Sequence, residues 1–353
     1  MSLRIAVIGA GHLGRIHARL LSAIEDVRVV AITDPSDAAR AAAGEASGIP
    51  TFSSHRQVIS EIDAAIVAAP SGLHHAIATD LLEAGKHLLV EKPLTTTAAD
   101  AVKLVQLAKR QGCILQVGHV ERFNPAWTAA KDIAQGAKYV EATRASSFPG
   151  RCLDVGVVMD LMIHDVELVL SLTTAEVVDV QASGLSVVSE HEDLAEARLT
   201  FACGLVANLK ASRISLDAAR SMQIFGSLGF AELDFGKPAI TLVRPSDAIA
   251  ERRFHLAAMG DPKKAREEIF GTHLEIARPE LQPRNAIADE LQDFVVSIRH
   301  GHSPTVSGFQ GARAVSAAER ILAAIDQRAW NGARDLAARG PHVAASQRQR
   351  RAA

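Results

Sequence analysis

Two short stretches carry residue types suited to acid–base chemistry. The first is "GVVMDLMIHDVELVL", residues 156–170. Asp160, His164 and Glu167 are spaced by four and then three, which puts them on one face of a helix. The remaining faces are apolar nearly all round, as in a core helix. Ionisable groups in such a helix need partners or a cavity. An imidazole, with an ordinary pKa of about 6.5, can take up a proton near neutral pH. A carboxylate one turn away can orient a ligand or favour the charged ring. A satisfied structural Asp–His pair is the alternative. Asp165 points away from the stripe and reads as half of a structural ion pair; Glu167, further along the same face, reads as a partner for an arginine, with a substrate contact as the alternative. No second cluster of ligands accompanies the stripe, so no metal is expected. The second stretch is "EKP", with Lys92 between Glu91 and Pro93 just after an apolar run. A lysine fixed there sets positive charge against a developing anion; a surface lysine in a turn is the alternative.

The elements that position these groups are written in the first third of the chain. "LRIAVIGA" suits a parallel strand buried on both faces. "GAGHLG" follows, so Gly9, Gly11 and Gly14 form G-x-G-x-x-G. A helix from His12 through Ile24 comes next, with Leu13, Ile16, Leu20, Leu21 and Ile24 as its apolar stripe. The strand "VRVVAITD" then ends in Asp34. Strand, glycine turn, helix and distant acid together mark a dinucleotide site. Gly9 allows the tight turn, Gly11 lets backbone approach a pyrophosphate, and Gly14 lets helix pack on strand. Asp34 can accept from both ribose hydroxyls and would repel a 2′-phosphate, so NAD is expected over NADP.

The alternation continues: "IDAAIVAAP" is a strand, "HHAIATDLLEAG" a helix stopped by Gly85, "KHLLVEKP" a strand, "TTTAADAVKLVQLAKRQG" a helix and "CILQVGH" a strand. This is the pattern of a doubly wound parallel sheet, in which ligands sit beyond the carboxyl ends of the strands. Three marked segments fall there: "GAGHLG", "APSGLH" and "EKP". The expected cofactor set is Gly9, Gly11, His12, Leu13 and Gly14; Pro70, Ser71 and His74; Glu91 and Lys92; and Asp34.

The 353 residues imply about two domains. Apolar residues are 48%, charged residues 22% and the net charge −2, which gives no bulk attraction to nucleic acid. The basic tail "SQRQRRAA" lacks apolar periodicity and reads as disordered. Cys113, Cys152 and Cys203 are scattered, without a CxxC spacing, and read as free thiols. With no signal segment and no apolar run of membrane-spanning length, a cytoplasmic protein without a membrane partner is expected.

"GAGHLGRIHA", "AAPSGLHHAIATDLLEAGKHLLVEKPL" and "MDLMIHDVELV" together resemble the Gfo/Idh/MocA oxidoreductase family, over residues 3 to about 330. The resemblance implies an N-terminal NAD-binding Rossmann domain over 1–120. A C-terminal α/β domain with an open, mostly antiparallel sheet would follow over 121–335, its last helix free to pack back on the first domain, and then the tail, 336–353. It also implies a homodimer or homotetramer formed through that sheet. Lys92 matches the family's lysine beside substrate and nicotinamide, His164 its proton acceptor, and Asp160 its supporting carboxylate. Ser71 stands where many relatives have asparagine, a departure that puts its cofactor role in doubt. "VGHVERFNPA" and the stripe helix resemble the branch that oxidises C3 of UDP-N-acetylglucosamine for lipid A diamino sugars. Arg122, Asn124, Arg144 and Arg151 are the candidate substrate contacts, because arginine forks suit a nucleotide-sugar pyrophosphate. The competing readings are an inositol or free-aldose dehydrogenase, a glycosidase that retains its NAD, and a non-catalytic dinucleotide sensor.

Overall fold

The apolar runs of the first third become the strands of a parallel sheet. The structure, a computed structural model, describes residues 2–148, 150, 155–255 and 261–327. In chain order the first elements are β1 (Leu3–Ile8), α1 (His12–Leu21), β2 (Val27–Thr33), α2 (Asp37–Ser47), β3 (Thr51–Phe52) and β4 (Ala64–Val67). α3 (His74–Glu83), β5 (His87–Glu91), α4 (Ala98–Gln111) and β6 (Leu115–Gly118) follow. The six strands lie in the order β3-β2-β1-β4-β5-β6, and every pairing is parallel. All the carboxyl ends therefore open at one edge, with the change of winding direction between β1 and β4.

α1 differs from expectation. It ends at Leu21, and its buried face is Gly14, His17, Ala18 and Leu21, while Leu13 is 39% exposed. A side chain at Gly14 would run into the carbonyl oxygen of Gly9. The helix thus lies on its smallest residues, and that rotates the larger Leu13 outward.

Next come α5 (Pro125–Ala129), α6 (Lys131–Ala134), β7 (Ala137–Ala145), α7 (Ile163–Ser171), β8 (Val177–Leu185), β9 (Leu194–Phe201) and β10 (Val206–Ser212). β11 (Ala219–Gly226), β12 (Gly229–Asp234), β13 (Ala239–Pro245), α8 (Asp247–Ala250), α9 (Pro262–Glu268) and β14 (Leu274–Ala277) complete this part. The eight strands run β14-β13-β12-β11-β7-β10-β9-β8. Only the β7–β10 pairing is parallel. β13 and β14 were not expected from the sequence. Val140, Ala142, Ala207, Leu209, Met222 and Ile224 are buried on the inner face. On the outer face Val206, Tyr139, Phe225, Phe230 and Val243 stand in register across five strands, with the Phe225 and Phe230 rings 4.6 Å apart.

α10 (Ala286–His300) and α11 (Gly308–Gln327) close the described chain. The described chain forms two compact units: residues through Phe123 with Asn285–Glu319, and Asn124–Arg284 with Arg320–Gln327. The expected 121–335 block loses residues 285–319 to the first unit, so the packing back considered for the last helix takes in α10 and most of α11. The reason is the apolar stripe of α10: Leu291, Phe294 and Val295 pack in one core with Ile5, Val7, Ile32 and Ile66. Gln116 also donates to the Glu290 carbonyl at 3.0 Å. The tail 336–353 lies outside the described residues.

One buried corner of the second unit holds the start of the stripe helix. Arg213 and Asp193 are both fully buried and paired at 2.8 Å. Arg213 also donates to the Val155 carbonyl and to Ser189 Oγ. Asp193 Oδ2 accepts the backbone N–H groups of Val187, Val188 and Ser189. Burial alone would push the Asp193 carboxyl up; those donors and Arg213 outweigh it and hold it well below the usual range. Next to it, Glu192 accepts from Val158 N at 3.1 Å, and any side chain at Gly156 would strike its carboxylate. Removing one partner of a buried pair leaves the other uncompensated. Asp193→Ala should therefore cost about 3–5 kcal/mol in urea unfolding; a loss under about 1 kcal/mol would show that this corner does not depend on the pair.

Candidate active site

In the first unit the parallel topology brings the three marked segments and Asp34 to one sheet edge. Gly9 has φ +109° and no room for a side chain against Ala68. Gly11 is different. Its φ is −66°, and a side chain there would meet no protein atom within 4 Å. Nothing in the chain itself requires glycine at 11. The open space there would let a phosphate approach the backbone closely. α1 starts at the next residue and has no side-chain cap, so its first N–H groups and the positive end of its dipole are available to a pyrophosphate. Asp34 Oδ2 accepts Ala10 N at 2.9 Å and Oδ1 accepts Ser36 N at 2.9 Å. The carboxylate is thereby fixed beside the glycine loop, with lone pairs left for ribose hydroxyls. These residues fit a dinucleotide.

Lys92 follows β5 and precedes a cis peptide to Pro93. Glu91 is paired with His17 Nε2 at 2.7 Å. Burial alone would raise the Glu91 carboxyl, but His17's hydrogen bond and the nearby positive charge of His17, Lys92 and His74 hold it below its ordinary value. His119, just past β6, is 1% exposed. Burial first, and then the charges of Lys92 and Arg122, push its pKa down to about 3. Arg122 thus lies close enough to act on the same edge.

In the second unit the stripe helix begins with a π-helical turn, Val158–Met162, and continues as α7. π-turns are rare and recur at functional sites. Across residues 156–170 only Asp160, Leu161 and His164 are half-exposed; every other residue is buried. The helix therefore opens one narrow strip, and that strip holds the aspartate and the histidine. Glu167 is 2% exposed, out of a substrate's reach.

Residues 3–119 match the model of the oxidoreductase family with an NAD-binding Rossmann fold, and residues 136–232 match the GFO/IDH/MocA C-terminal domain. A UDP-N-acetylglucosamine 3-dehydrogenase from Acidithiobacillus ferrooxidans is 35% identical over 92% of this chain and 97% of its own length. The chain belongs to the Gfo/Idh/MocA family. A solved structure of the Acidithiobacillus ferrooxidans enzyme superposes with a TM-score of 0.81 at 32% identity, covering 92% of this chain and 98% of that one. A myo-inositol 2-dehydrogenase from Thermotoga maritima is 26% identical over 89% of this chain and 93% of its own length. This family member is an NAD(P)-dependent oxidoreductase acting on CH–OH groups, and its first unit is an NAD-binding Rossmann domain.

Several expected contacts are corrected. Arg144 is not an open phosphate ligand. It is 4% exposed and grips Asp165 with Nη2 at 2.8 Å and Nε at 3.2 Å; this pair is the structural partnership expected for Asp165. Asn124 is a helix cap, with Oδ1 accepting Ala126 N at 3.0 Å. His74 is buried, and its two ring nitrogens face the carbonyls of Pro93 and Ala69 at 2.8 Å each, so it braces loops instead of touching cofactor. Glu91 is likewise committed, to His17. Arg151 lies outside the described residues. His12, Leu13, Pro70 and Ser71 are half-buried or exposed, just past the carboxyl ends of β1 and β4. His17 and His119 were missed. The signal for His17 was its place at i, i+3 with Gly14, a face that appeared apolar only if drawn through the leucines.

Two predictions follow from this edge. Gly11→Ala should leave thermal stability unchanged yet weaken NAD by about ten- to 150-fold, the effect of losing one charge-assisted hydrogen bond of roughly 1.5–3 kcal/mol; calorimetry with the purified protein reads both. His119 stays neutral when folded, whereas the unfolded chain takes up a proton below its ordinary value. Stability is therefore lost as pH falls from about 6.5, by about 2 kcal/mol at pH 5. His119→Gln should remove that acid sensitivity, seen in urea unfolding at the two pH values.

Proposed function

We propose that the enzyme oxidises the C3 hydroxyl of UDP-N-acetylglucosamine, giving the ketone that an aminotransferase converts on the way to lipid A diamino sugars. What carries the reading is the 35% identity, over 92% of the chain, to a relative with that activity in its name. Bound NAD supplies the hydride acceptor. His164, on the half-exposed strip, takes the hydroxyl proton as general base. Asp160, near the other end of the strip, orients the substrate or favours the charged imidazolium. Lys92 steadies the oxygen as negative charge develops on it. Arg122, close to His119 at the sheet edge, is the remaining described candidate for a substrate phosphate. Asp34 sets the preference for NAD over NADP by opposing a 2′-phosphate. The row Val206, Tyr139, Phe225, Phe230 and Val243 is the face proposed for a homodimer or homotetramer.

A second reading is an inositol or free-sugar dehydrogenase, favoured by the 26% identity to myo-inositol 2-dehydrogenase over 89% of the chain. NADH formation at 340 nm (an ordinary assay wavelength) with UDP-sugars, free sugars and inositols, with and without a ketone-trapping aminotransferase, separates the two. A signal confined to UDP-N-acetylglucosamine supports the first; turnover of inositol or glucose alone overturns it. Lys92→Ala and His164→Ala should each lower turnover by about 100-fold or more, as for typical acid–base groups, with NAD binding nearly intact. Undiminished turnover in both variants would remove them from the site.

A further inference from the structure

We propose that His17 is a positioning residue for Lys92, acting through Glu91. The inference rests on the role of Lys92 proposed above and concerns residues of the first unit alone. His17 sits on the buried face of α1, the helix whose start forms the dinucleotide cradle. Its Nε2 is 2.7 Å from Glu91 Oε1, 74 residues away in sequence. A carboxylate only accepts, so Nε2 carries the proton and donates. The other oxygen, Glu91 Oε2, lies 3.3 Å from the Lys92 backbone N–H. One carboxylate thus ties the cofactor helix to the residue that carries the ammonium group.

Two observations argue against packing as the whole explanation. His17 is 0% exposed, and its Nδ1 is buried without a hydrogen-bond partner. A buried unsatisfied nitrogen costs stability that an apolar residue in the same place would not cost. Second, the surroundings are shaped to hold a carboxylate. A side chain at Gly118 on β6 would come within 2.8 Å of Glu91 Oε2, so the adjacent strand leaves that oxygen its space. The charged and titratable groups facing Glu91 are His17 from α1, His74 from the start of α3 and Lys92 beside it. Beyond Gly118, the charges of Lys92 and Arg122 both act on His119. Burial favours the neutral carboxyl and His17 opposes it. Removing His17 therefore leaves Glu91 under burial's upward push, and its ionised form is lost at a higher pH.

The test compares wild-type enzyme with His17→Leu, which cannot donate, and His17→Gln, which can. His17→Leu should lower kcat by about tenfold to 100-fold, the scale of a small misplacement of a reacting group, with NAD affinity changed by less than about threefold. The acid limb of its pH–rate profile should move to higher pH, and His17→Gln should restore both kcat and the limb. A cofactor-free readout is thermal stability against pH. In the wild type, Glu91 adds stability above its unfolded value and loses it as pH falls. In His17→Leu, the raised carboxyl costs stability at neutral pH and that cost fades on acidification. The gap between the two proteins should narrow as pH falls through the carboxylate range. An acid limb and a stability gap that do not move overturn the proposal, as does a kcat loss matched by loss of folded protein alone. Full activity of Lys92→Ala overturns instead the reading on which it rests, which keeps the two failures apart.

Discussion

The turn from β1 into α1 leaves no space for a Cβ at Gly14, and much of the first unit depends on that contact. Pressed against the Gly9 carbonyl, α1 buries Gly14, His17, Ala18 and Leu21. The same approach aims the helix start at the position a pyrophosphate takes. It also carries an imidazole inward to meet Glu91 at the end of β5. Cradle and lysine turn are therefore linked by one packing constraint, with a buried carboxylate as the link.

In the second unit the corresponding constraint is electrostatic. A helix apolar on nearly every side has no amphipathic rule to set its rotation. Its rotation is fixed by polar anchors: Arg144–Asp165 beneath it, and Arg213, Asp193 and Glu192 at its start. Buried pairs of this kind contribute little net stability against apolar substitutes. What they do here is leave Asp160, Leu161 and His164 as the half-open strip. The π-turn at Val158–Met162 lies within that anchored stretch.

The arginines show how chemistry and placement separate. Arg122 and Arg144 look alike in sequence, each next to a motif. Arg144 falls on an inward position of β7, where burial demands a counter-ion and Asp165 supplies it. Arg122 falls in a short turn after β6 and is half-buried, near enough to His119 for its charge to act there.

The sequence by itself determined the α/β class, the parallel sheet, the glycine cradle, Asp34 at the end of β2 and the Asp160–His164 spacing. Each of these is a local pattern: strand and helix periods, turn glycines and residues a few positions apart. Tertiary structure alone decided which face of α1 is buried, that His17 meets Glu91 and Arg144 meets Asp165, that Asn124 and His74 serve the fold, and that 285–319 return to the first unit. Most of those outcomes turn on close packing and on pairing of buried charge between segments up to about 290 residues apart, and no period in the chain encodes either.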